Sequence, residues 1–468
     1  MRNDFVRVLA GSALALVVGA AALAAEPPLA TQASGAADPI TFTKDIAPIL
    51  QDRCQVCHRP NTFAPMSLVT YDETRPWARS IRLKVAAREM PPFFIDRNVG
   101  IQHFSNDSSL TEAQIATIVK WVDSGTPKGN PADMPPPRHF VDDDRWQFGK
   151  YGEPDVVVTL PEDYIMPASG PDHWPDIVVD PKLTEDRYLA AVQLIPTKGY
   201  RAIHHMRSSL IPGAGVSGSG GARQTEGEMG RFLNEYAIGK GADLFPEGSG
   251  RLIKAGTKIS IGLHMHPNYG SKEPTAVNVA LGLKFHPRGF IPKHVVLSDQ
   301  AKYPGIEIAP GDPNARVDGY FILPKPTRLL SYQPHMHNRG KAACIMAIIP
   351  LSGGESEEGL TSKQPGFETL SCAGFSFNWH LNYVYADEAA PLLPAGTMLQ
   401  TIQWYDNSKS NPINPDPDAF ITRGQRTLDE MAGAWLSFYE MSEEEFARQL
   451  AERGARNYSV PTRRSGSK

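Results

Sequence analysis

The chain has 468 residues, too many for one ordinary hydrophobic core, so about two to four domains are expected. A formal net charge of −4 provides no excess of basic residues, which argues against nucleic acid as a partner. With 40 glycines and 41 prolines, the composition predicts many turns and short strands rather than long helices.

The N-terminal residues have the order of a secretory signal peptide, predicted at 1–25. Arg2 and Arg7 precede an apolar run from Leu9 to Ala24, and this run ends in small residues. A run of about 16 residues is short for a hydrocarbon core about 30 Å thick, so cleavage is favoured over a permanent membrane anchor. No later stretch is apolar for long enough to span a membrane. We therefore expect a periplasmic or secreted protein, in a compartment where disulfides persist.

Cys54, Cys57 and His58 have the C-x-x-C-H spacing of covalent haem c attachment. The two thiols of such a motif add to the vinyl groups of one porphyrin, and the adjacent histidine ligates the iron. A zinc or redox dithiol site is the alternative, but zinc needs two further ligands and a dithiol does not explain His58. One covalent haem c is therefore expected.

Two methionines after this motif could provide the sixth ligand of the iron. Met90 is favoured because it lies 32 residues past His58 and is followed by two prolines, which hold an extended loop. Met66 lies only eight residues past His58 and is interpreted as a core residue.

Helical patterns flank the motif. The first helix precedes it and has apolar residues at helical spacing, Ile46, Ile49 and Leu50. Thr111, with Gln114 three residues later, predicts the start of a second helix, and Gly125 predicts its end. The expected buried stripe of this helix is Ile115, Ile118, Val119 and Val122. Residues 38–135 are predicted to form a small all-α domain that resembles class I cytochromes c, and residues 136–150 a linker.

From about residue 150 the pattern changes to short, β-branched or alternating runs separated by Gly, Pro and Asp. The runs are DVVVTL, YLAAVQLIP, KISIGLHMH, TAVNVALGLKF, GYFILP, RLLSYQPHMH, KAACIMAIIP and MLQTIQWYD. Many short strands at regular spacing predict one or two β-sandwiches. The clearest helix candidates in this region are DEMAGAWLSFYEM and SEEEFARQLAERG.

Six of the 13 histidines fall into three tight clusters: His204-His205, His264-Met265-His266 and His335-Met336-His337. In a strand, His-x-His places both imidazoles on one face, because side chains alternate with period two. Adjacent histidines can share a metal only where the backbone bends. Three clusters of one ligand type predict metal binding, and imidazole suits Cu, Zn, Fe and Ni. An added thioether favours copper, because zinc rarely takes sulfur from methionine.

The other histidines outside the haem motif are interpreted as ordinary side chains. The isolated ones, expected at the surface or in structural roles, are His103, His139, His173, His286 and His294. His380, in the segment FNWHLNY, lies near aromatic residues, which leaves a pocket-lining role as an alternative.

The histidine motifs resemble those of the copper type II, ascorbate-dependent monooxygenases, the family of peptidylglycine α-hydroxylating monooxygenase and dopamine β-monooxygenase. The shared motifs are His-His-Met at 204–206, a single histidine about sixty residues later, His-x-His at 335–337 and Asp-Glu-Met at 429–431. The resemblance covers roughly residues 150–450. It implies two tandem, mostly antiparallel, jelly-roll-like β-sandwich domains, which we place at 151–305 and 306–450, followed by a tail at 451–468.

The resemblance also implies two copper ions. The family holds an electron-transferring copper with three histidines, here His204, His205 and His264. It holds an oxygen-binding, catalytic copper with two histidines and a methionine, here His335, His337 and Met431. His264 is chosen over His266 because it directly follows the apolar run, and His266 is expected beside the site. For Met431, ordinary core packing is the alternative.

The expected function is therefore the O2-dependent hydroxylation of a small organic substrate, with haem c passing on electrons from a periplasmic donor. The alternative is a non-catalytic protein that binds copper, transfers electrons or senses redox state. A zinc hydrolase is disfavoured because no glutamate stands beside a histidine pair in the zincin manner.

Peptide amidation is not expected. Peptide-hydroxylating members of the family bind the substrate carboxylate with an arginine two residues before His-x-His, where this chain has Gln333. Gly433 and Trp435 stand where those members have an assisting asparagine and tyrosine. A neutral amide cannot form the bidentate ion pair that a guanidinium offers a carboxylate.

The two remaining cysteines are Cys344, in KAACIMA, and Cys372, in ETLSCAG. Both segments are predicted strands, and they are expected to pair with each other. In an exported protein a disulfide between these cysteines is therefore expected.

Overall fold

The structure is a computed structural model that describes residues 38–60, 62, 64–140, 145–211, 232–237, 240–268, 270–301, 303–350 and 366–453. The predicted signal peptide and most of the predicted tail lie outside the described residues. Within the described part of the chain, no helix is long and apolar enough to cross a membrane.

Most of the helices lie between residues 40 and 134. They are α1 (Ala47–Arg53), which continues a π-helical turn at Phe42–Ile46, α2 (Tyr71–Thr74), α3 (Ala78–Ala86) and α4 (Glu112–Asp123). The predicted capping box of α4 is confirmed, because the Thr111 side chain accepts a hydrogen bond from the Gln114 amide and the Gln114 side chain bonds back to Thr111. Gly125 follows the helix with φ +88°, a conformation that ends helices and suits glycine.

The helices bury one shared hydrophobic cluster. Ile46 and Leu50 lie fully inside it, as predicted for the helix before the haem motif. In α4 the buried residues are Ile118 and Trp121, and Val119 lies outside the cluster. The predicted stripe therefore omitted Trp121, whose indole N–H donates to the Pro127 carbonyl and so is satisfied in the interior.

The prediction that residues 38–135 are all-α is wrong for one segment. Ile95–Gly100 forms strand β1, which pairs antiparallel with residues Gly366–Gly374. Ile95 and Phe104 are buried in the core of the last β-region rather than among the helices. Strand β1 lies at the edge of its sheet, and only its first residue is fully buried. Its sequence, IDRNVG, therefore lacks the alternation of apolar and polar residues that predicts a strand.

The rest of the described chain is mainly β-structure. The strands before residue 301 are β2 (Val156–Thr159), β3 (Tyr164–Met166), β4 (Asp176–Val179), β5 (Arg187–Lys198), β6 (Ile203–Ile211), β7 (Phe232–Ala237), β8 (Asp243–Leu244), β9 (Ser249–Ile253), β10 (Lys258–Met265), β11 (Thr275–Phe285) and β12 (His294–Gln300). The later strands are β13 (Glu307–Ile308), β14 (Ala315–Ile322), β15 (Thr327–Pro334), β16 (Gly340–Ile349), β17 (Gly366–Gly374), β18 (Tyr383–Val384), β19 (Leu392–Leu393), β20 (Met398–Tyr405), β21 (Ile421–Thr422) and β22 (Ala434–Glu440). All eight predicted runs contain a strand.

The sheets pack face to face in two β-sandwich-like regions, and each region has its own hydrophobic core. The first core lies between the sheet β4-β10-β6-β7 and strands β9, β5, β11 and β2. The second core lies between the sheet β1-β17-β16-β20-β14 and strands β15, β18, β19 and β22. One eleven-stranded sheet contributes to both cores, and its two halves are joined by the parallel pairing of β12 with β9. The described chain is thus rich in β-sandwich structure.

Of the two helix candidates in this region, one is wrong. The run DEMAGAWLSFYEM contains β22, which lies between β15 and β12 and alternates buried and half-buried residues over most of its length. Trp435 and Phe438 have high β-propensity, and pairing on both sides outweighs the weak helical pattern. The other candidate forms α5 (Glu443–Glu452), with the Ser442 hydroxyl accepting a hydrogen bond from the Glu445 amide.

The predicted disulfide between Cys344 and Cys372 is confirmed. The two residues lie directly opposite each other on β16 and β17, with their Cα atoms 4.0 Å apart. The bond therefore joins two strands that are already paired and encloses the residues between them.

Removing this disulfide is expected to lower the free energy of unfolding by about 3–4 kcal/mol, because the bond reduces the conformational entropy of the unfolded chain. The double variant Cys344→Ala/Cys372→Ala and the wild-type protein are compared by denaturant unfolding, with and without reductant. Reductant should destabilise only the wild type. Equal stabilities of the variant and the wild type in the absence of reductant would contradict the expectation.

Candidate metal centre

A β-bulge brings the adjacent histidines of β6 to one place. In the pairing of β6 with β10, His264 lies opposite His205 and Met265 lies opposite Ile203, so His204 is an extra residue in the ladder. A bulge bends its strand and redirects a side chain. The ring centroids of His204 and His205 are 5.2 Å apart, and they lie 5.0 and 4.9 Å from that of His264. The three predicted ligand rings therefore lie side by side, but among the described residues His264 is in neither of the groups whose ligand atoms are close enough to hold a metal.

The imidazole of His264 is held in place by its neighbours. Its Nε2 lies 2.9 Å from Asp172 Oδ2, and the Thr427 hydroxyl donates to the same oxygen at 3.2 Å. The hydrogen bond to His264 lowers the pKa of the Asp172 carboxyl. Trp174 stacks on the other side of the ring, 5.1 Å away between centroids. A carboxylate that orients an imidazole in this way is a common support for a metal ligand.

His266 lies just past the end of β10. Its Nδ1 is 2.9 Å from the Pro267 carbonyl oxygen. Within the described residues, it is in neither of the groups whose ligand atoms are close enough to hold a metal. The expectation that it lies beside the site stays a prediction.

His335 and His337 lie immediately after β15 and are buried. Their ring centroids are 5.6 Å apart, with the ring planes at 82°. The His337 amide donates to Glu430 Oε2 at 2.8 Å, and its Nδ1 lies 3.1 Å from the Asp429 carbonyl oxygen. The His335 amide donates to the Gly433 carbonyl at 3.0 Å. The segment 429–433 therefore packs directly against His335 and His337.

Met431 belongs to this neighbouring segment. It is half-buried, and its carbonyl accepts a hydrogen bond from the Tyr405 hydroxyl at 2.7 Å. Glu430, directly before it, and Gly433, two residues after it, accept hydrogen bonds from the backbone amides of His337 and His335. The structure thus places the methionine segment beside the histidines from which it is separated by about ninety residues of sequence.

His380 lies at the centre of the whole histidine cluster. Its ring centroid is 4.5 Å from that of His205, 5.5 Å from that of His204 and 5.1 Å from that of His335. The two predicted sets also approach each other directly, since the rings of His205 and His335 are 6.2 Å apart. Sequence analysis missed this placement, for which the aromatic surroundings of His380 were the only signal.

Two groups of side chains in the cluster could hold a metal ion. The ligand atoms of His204, His205 and His380 lie within 4.8 Å of one another. Those of Glu235, His335 and His380 satisfy the same limit. Glu235, on β7, is buried, and its Oε1 lies 3.4 Å from His380 Nδ1. No sequence signal pointed to Glu235, because the run FLNEYA carries no recognisable motif.

Several ring nitrogens in the cluster have no hydrogen-bond partner among the described residues. They are Nδ1 of His335 and both ring nitrogens of His380, all buried. The contact between His380 Nδ1 and Glu235 Oε1, at 3.4 Å, is too poorly directed to count as a hydrogen bond. Buried polar atoms usually find a partner, so these lone pairs fit a bound cation.

Burial favours the neutral form of four imidazoles in the cluster. Burial, followed by the charge of neighbouring histidines, lowers the pKa of His204 to about 2. Burial also lowers the pKa of His337 to about 4 and holds the pKa values of His205 and His335 well below the ordinary value. Only a neutral imidazole has a lone pair to offer a metal, so the lowered pKa values of these four histidines favour ligation.

Phe377 forms an apolar wall of the centre. Its ring stacks on His204 with centroids 4.6 Å apart, and it lies 5.9 Å from both His337 and His380. The side chain is buried. It therefore packs against both histidine sets.

The predicted haem motif follows α1. The amides of Cys57 and His58 both donate to the Cys54 carbonyl, at 3.1 and 2.8 Å, which folds the motif into a tight turn. Cys54 and Cys57 are not disulfide-bonded, and burial raises the pKa of the Cys54 thiol to about 12. Burial lowers the pKa of His58, whose Nδ1 lies 3.2 Å from the Met66 carbonyl. Holding Nδ1 on a carbonyl leaves Nε2 for an iron ion.

The two candidate sixth ligands occupy different surroundings. Met66 packs against the helical core and contacts His58 through its carbonyl. Met90 is half-buried and lines a cavity of about 360 Å³ with Val85, Phe93 and Leu110, among others. The residues that line this cavity do not include those of the haem motif. The preference for Met90 stays a prediction.

No sequence profile of a known family matches the chain, and no curated protein matches it. Solved structures with some similarity include Broad Bean Stain Virus, at 9% identity over 64% of this chain and 92% of that chain, with a TM-score of 0.24. Two others are the major capsid protein P2 of bacteriophage PM2, at 11% identity over 61% and 98% with a TM-score of 0.24, and a Paenibacillus xanthan lyase, at 12% over 68% and 28% with a TM-score of 0.16. Such low TM-scores carry no argument about this chain.

Proposed function

We propose that this protein is an exported monooxygenase that contains copper and haem c and uses O2 to hydroxylate a small organic substrate. The observation that carries the proposal is the convergence at one centre of buried imidazoles whose ring nitrogens have no hydrogen-bond partner among the described residues. The chain resembles the copper type II, ascorbate-dependent monooxygenases in the order of the motifs that supply these imidazoles.

Two sets of residues would hold the copper ions. The first set is His204, His205 and His264, and the second is His335, His337 and Met431. Bound copper would supply one-electron redox chemistry and a place for O2 to react. A set with a thioether suits copper better than zinc, which is why we prefer an oxidoreductase to a hydrolase.

The chain's own residues fix the orientation of these ligands. The Asp172 carboxylate accepts a hydrogen bond from Nε2 of His264, and the Asp429 carbonyl oxygen faces Nδ1 of His337. The backbone amides of His335 and His337 are held by the segment that contains Met431. Ligands fixed in this way need little rearrangement when the charge of a bound ion changes.

The surroundings of Gln333 support a substrate without a carboxylate anchor. Gln333 is almost fully buried, and its amide donates a hydrogen bond to Glu235 Oε2. It is therefore already engaged and cannot take the place of the family's carboxylate-binding arginine. Trp435 stacks on Phe232, 4.2 Å away between centroids, so this side chain is also used in packing.

Direct packing of the haem segment on the β-structure supports electron delivery from haem to copper. We propose that the helical core between residues 40 and 134 is the class I cytochrome c-like part, with Cys54, Cys57 and His58 binding the haem and Met90 as its sixth ligand. Strand β1 extends from it into the second sandwich. A donor held in contact with its acceptor has a high effective concentration.

Aromatic contacts reinforce this junction. Phe93 packs on Tyr383 with ring centroids 5.2 Å apart, and Phe104 stacks on Tyr385 at 5.1 Å. Tyr383 lies only three residues after His380. The same short segment therefore contacts the haem part of the chain at one end and the histidine cluster at the other.

Burial of the cluster favours a second candidate, a non-catalytic electron-transfer or redox-sensing protein. His264, His335, His337 and His380 are all buried, and Phe377 covers the space between them. A closed centre suits electron transfer, since an electron needs no open path for a substrate.

Oxygen uptake separates the two candidates. We expect copper-loaded protein with ascorbate to consume O2 in proportion to an added small substrate from a panel of compounds with weak C–H bonds. With ¹⁸O2, one labelled oxygen atom should appear in the product, and the other atom should leave as water. Full copper loading without uptake on any member of the panel would favour the non-catalytic candidate.

A further inference from the structure

Among the described residues, His380 is the one side chain that belongs to both groups that could hold a metal. Its ligand atoms come within 4.8 Å of those of His204 and His205 on one side and of Glu235 and His335 on the other. An imidazole has two nitrogens on different edges of the ring, and each can ligate a metal when the ring is deprotonated. Neither nitrogen of His380 has a hydrogen-bond partner among the described residues.

Glu235 provides the second, independent observation. Its carboxylate is buried, and within the described chain His380 is the only positively ionisable group in ion-pair contact with it. Gln333 donates to Oε2, which leaves Oε1 facing His380 Nδ1. A buried carboxylate needs a compensating charge, and a metal ion between Oε1, His335 and His380 would supply it.

The placement of Glu235 follows from the sheet. Glu235 lies opposite Arg207 in the pairing of β6 with β7, three positions along β6 from His204. The Arg207 guanidinium is not directed at Glu235 but pairs with Asp176 on β4 at 3.3 Å. The local cation is thus engaged elsewhere, and the interior face of β7 presents the carboxylate to the histidine cluster.

We propose that His380 is a metal ligand shared by the two histidine sets, and that Glu235, His335 and His380 form a ligand group for a divalent transition-metal ion. In this proposal, Nδ1 of His380 ligates the ion that Glu235 also holds, and Nε2 ligates the ion that His204 and His205 hold. The two metal ions then form a coupled pair linked by one imidazole. The inference rests on the proposed function only for the choice of copper, since the ligand group suits other divalent transition metals.

The test counts copper ions and unpaired electrons in the full-length haem protein. Wild-type, His380→Gln and His294→Gln proteins are loaded with Cu(II) and analysed by elemental analysis and by integration of the copper EPR signal. His294 is a matched control because it is largely buried but stacks on Tyr439, outside the cluster. The wild type and the control should bind two copper ions with a spin count well below two, because a shared imidazole couples them.

The His380→Gln protein should lose one copper ion or recover one unpaired electron for each ion that it retains. The same copper content and spin count in all three proteins would overturn the proposal. Because His380→Gln could prevent folding, Glu235→Gln provides a second variant that keeps the size of the side chain. It should weaken the binding of one ion at least about tenfold in a chelator competition, and unchanged affinity for both ions would also overturn the proposal.

The outcome is independent of the monooxygenase activity. A coupled pair that depends on His380 in a protein without substrate-driven O2 uptake supports this inference and defeats the proposed function. Two uncoupled ions in an active protein, unaffected by His380→Gln, overturn this inference and leave the proposed function in place.

Discussion

Replacing His335 with alanine is expected to lower substrate-driven O2 uptake at least about 100-fold, because the loss of a ligand exceeds the 10- to 100-fold cost of losing a residue that only orients one. The fold should tolerate the change. The amide of residue 335 still donates to the Gly433 carbonyl, and the Nδ1 atom that disappears has no partner among the described residues. Uptake and copper content are measured on the same preparation.

The matched control is His103→Ala, which removes an exposed imidazole far along the chain from the cluster. It should retain wild-type uptake and copper content. Met431→Leu adds a sharper variant, since leucine preserves the volume and removes only the sulfur. It should retain copper on the histidines and lose uptake. Wild-type uptake by a correctly folded His335→Ala protein would contradict the assignment of the second site.

Removing the haem is expected to slow turnover with a protein electron donor but not turnover with ascorbate. The double variant Cys54→Ala/Cys57→Ala cannot attach haem covalently, so turnover driven by a reduced protein donor should fall about 100-fold, the scale of an effective-concentration advantage. Turnover driven by ascorbate should stay near the wild-type value, because ascorbate reaches the copper without the haem. Both rates are measured at equal copper content.

A reverse pattern would contradict the proposed role of the haem. If the haem-free protein accepted electrons from the protein donor as fast as the wild type, the haem would not lie on the electron path. Equal loss with both reductants, in protein with full copper content, would show that the double variant disturbs the copper centre instead. Circular dichroism reports whether α1 and α4 remain folded in the variant.

Local signals in the sequence predicted much of the secondary structure. The capping box of Thr111 and Gln114 depends on residues three apart, and the period-two alternation of the β-runs depends on neighbours two apart. The disulfide followed from two cysteines on predicted strands in a chain that we expect to be exported. Each of these features is encoded within a few residues or by the redox compartment.

The errors arose where distant segments determine the structure. Strand β1 has no apolar alternation of its own and exists because β17 provides a free edge. The run at Ala434–Glu440 looked helical, but pairing with both β15 and β12 makes it a strand. Trp121 was omitted from the stripe of α4 because its burial depends on the loop at Pro127.

In the candidate site, too, local motifs could be predicted from the sequence, and contacts between distant segments could not. The clustered histidines could be recognised from their spacing, whereas His380 and Glu235 stand alone in the sequence and join the cluster only through the packing of the two sandwiches. The bulge at His204 also could not be located in advance, although adjacent histidines required some bend in the backbone. The resemblance implied two separate copper sites, and the structure places their imidazoles in one continuous cluster.

Elemental analysis of the mature, exported protein tests the central claim most directly. The protein is purified from the periplasm or medium of a host that attaches haem c, and copper and iron are quantified against protein concentration. The account predicts two copper ions and one haem iron for each chain. Iron without copper, in protein that was offered copper under reducing and oxidising conditions, would contradict it.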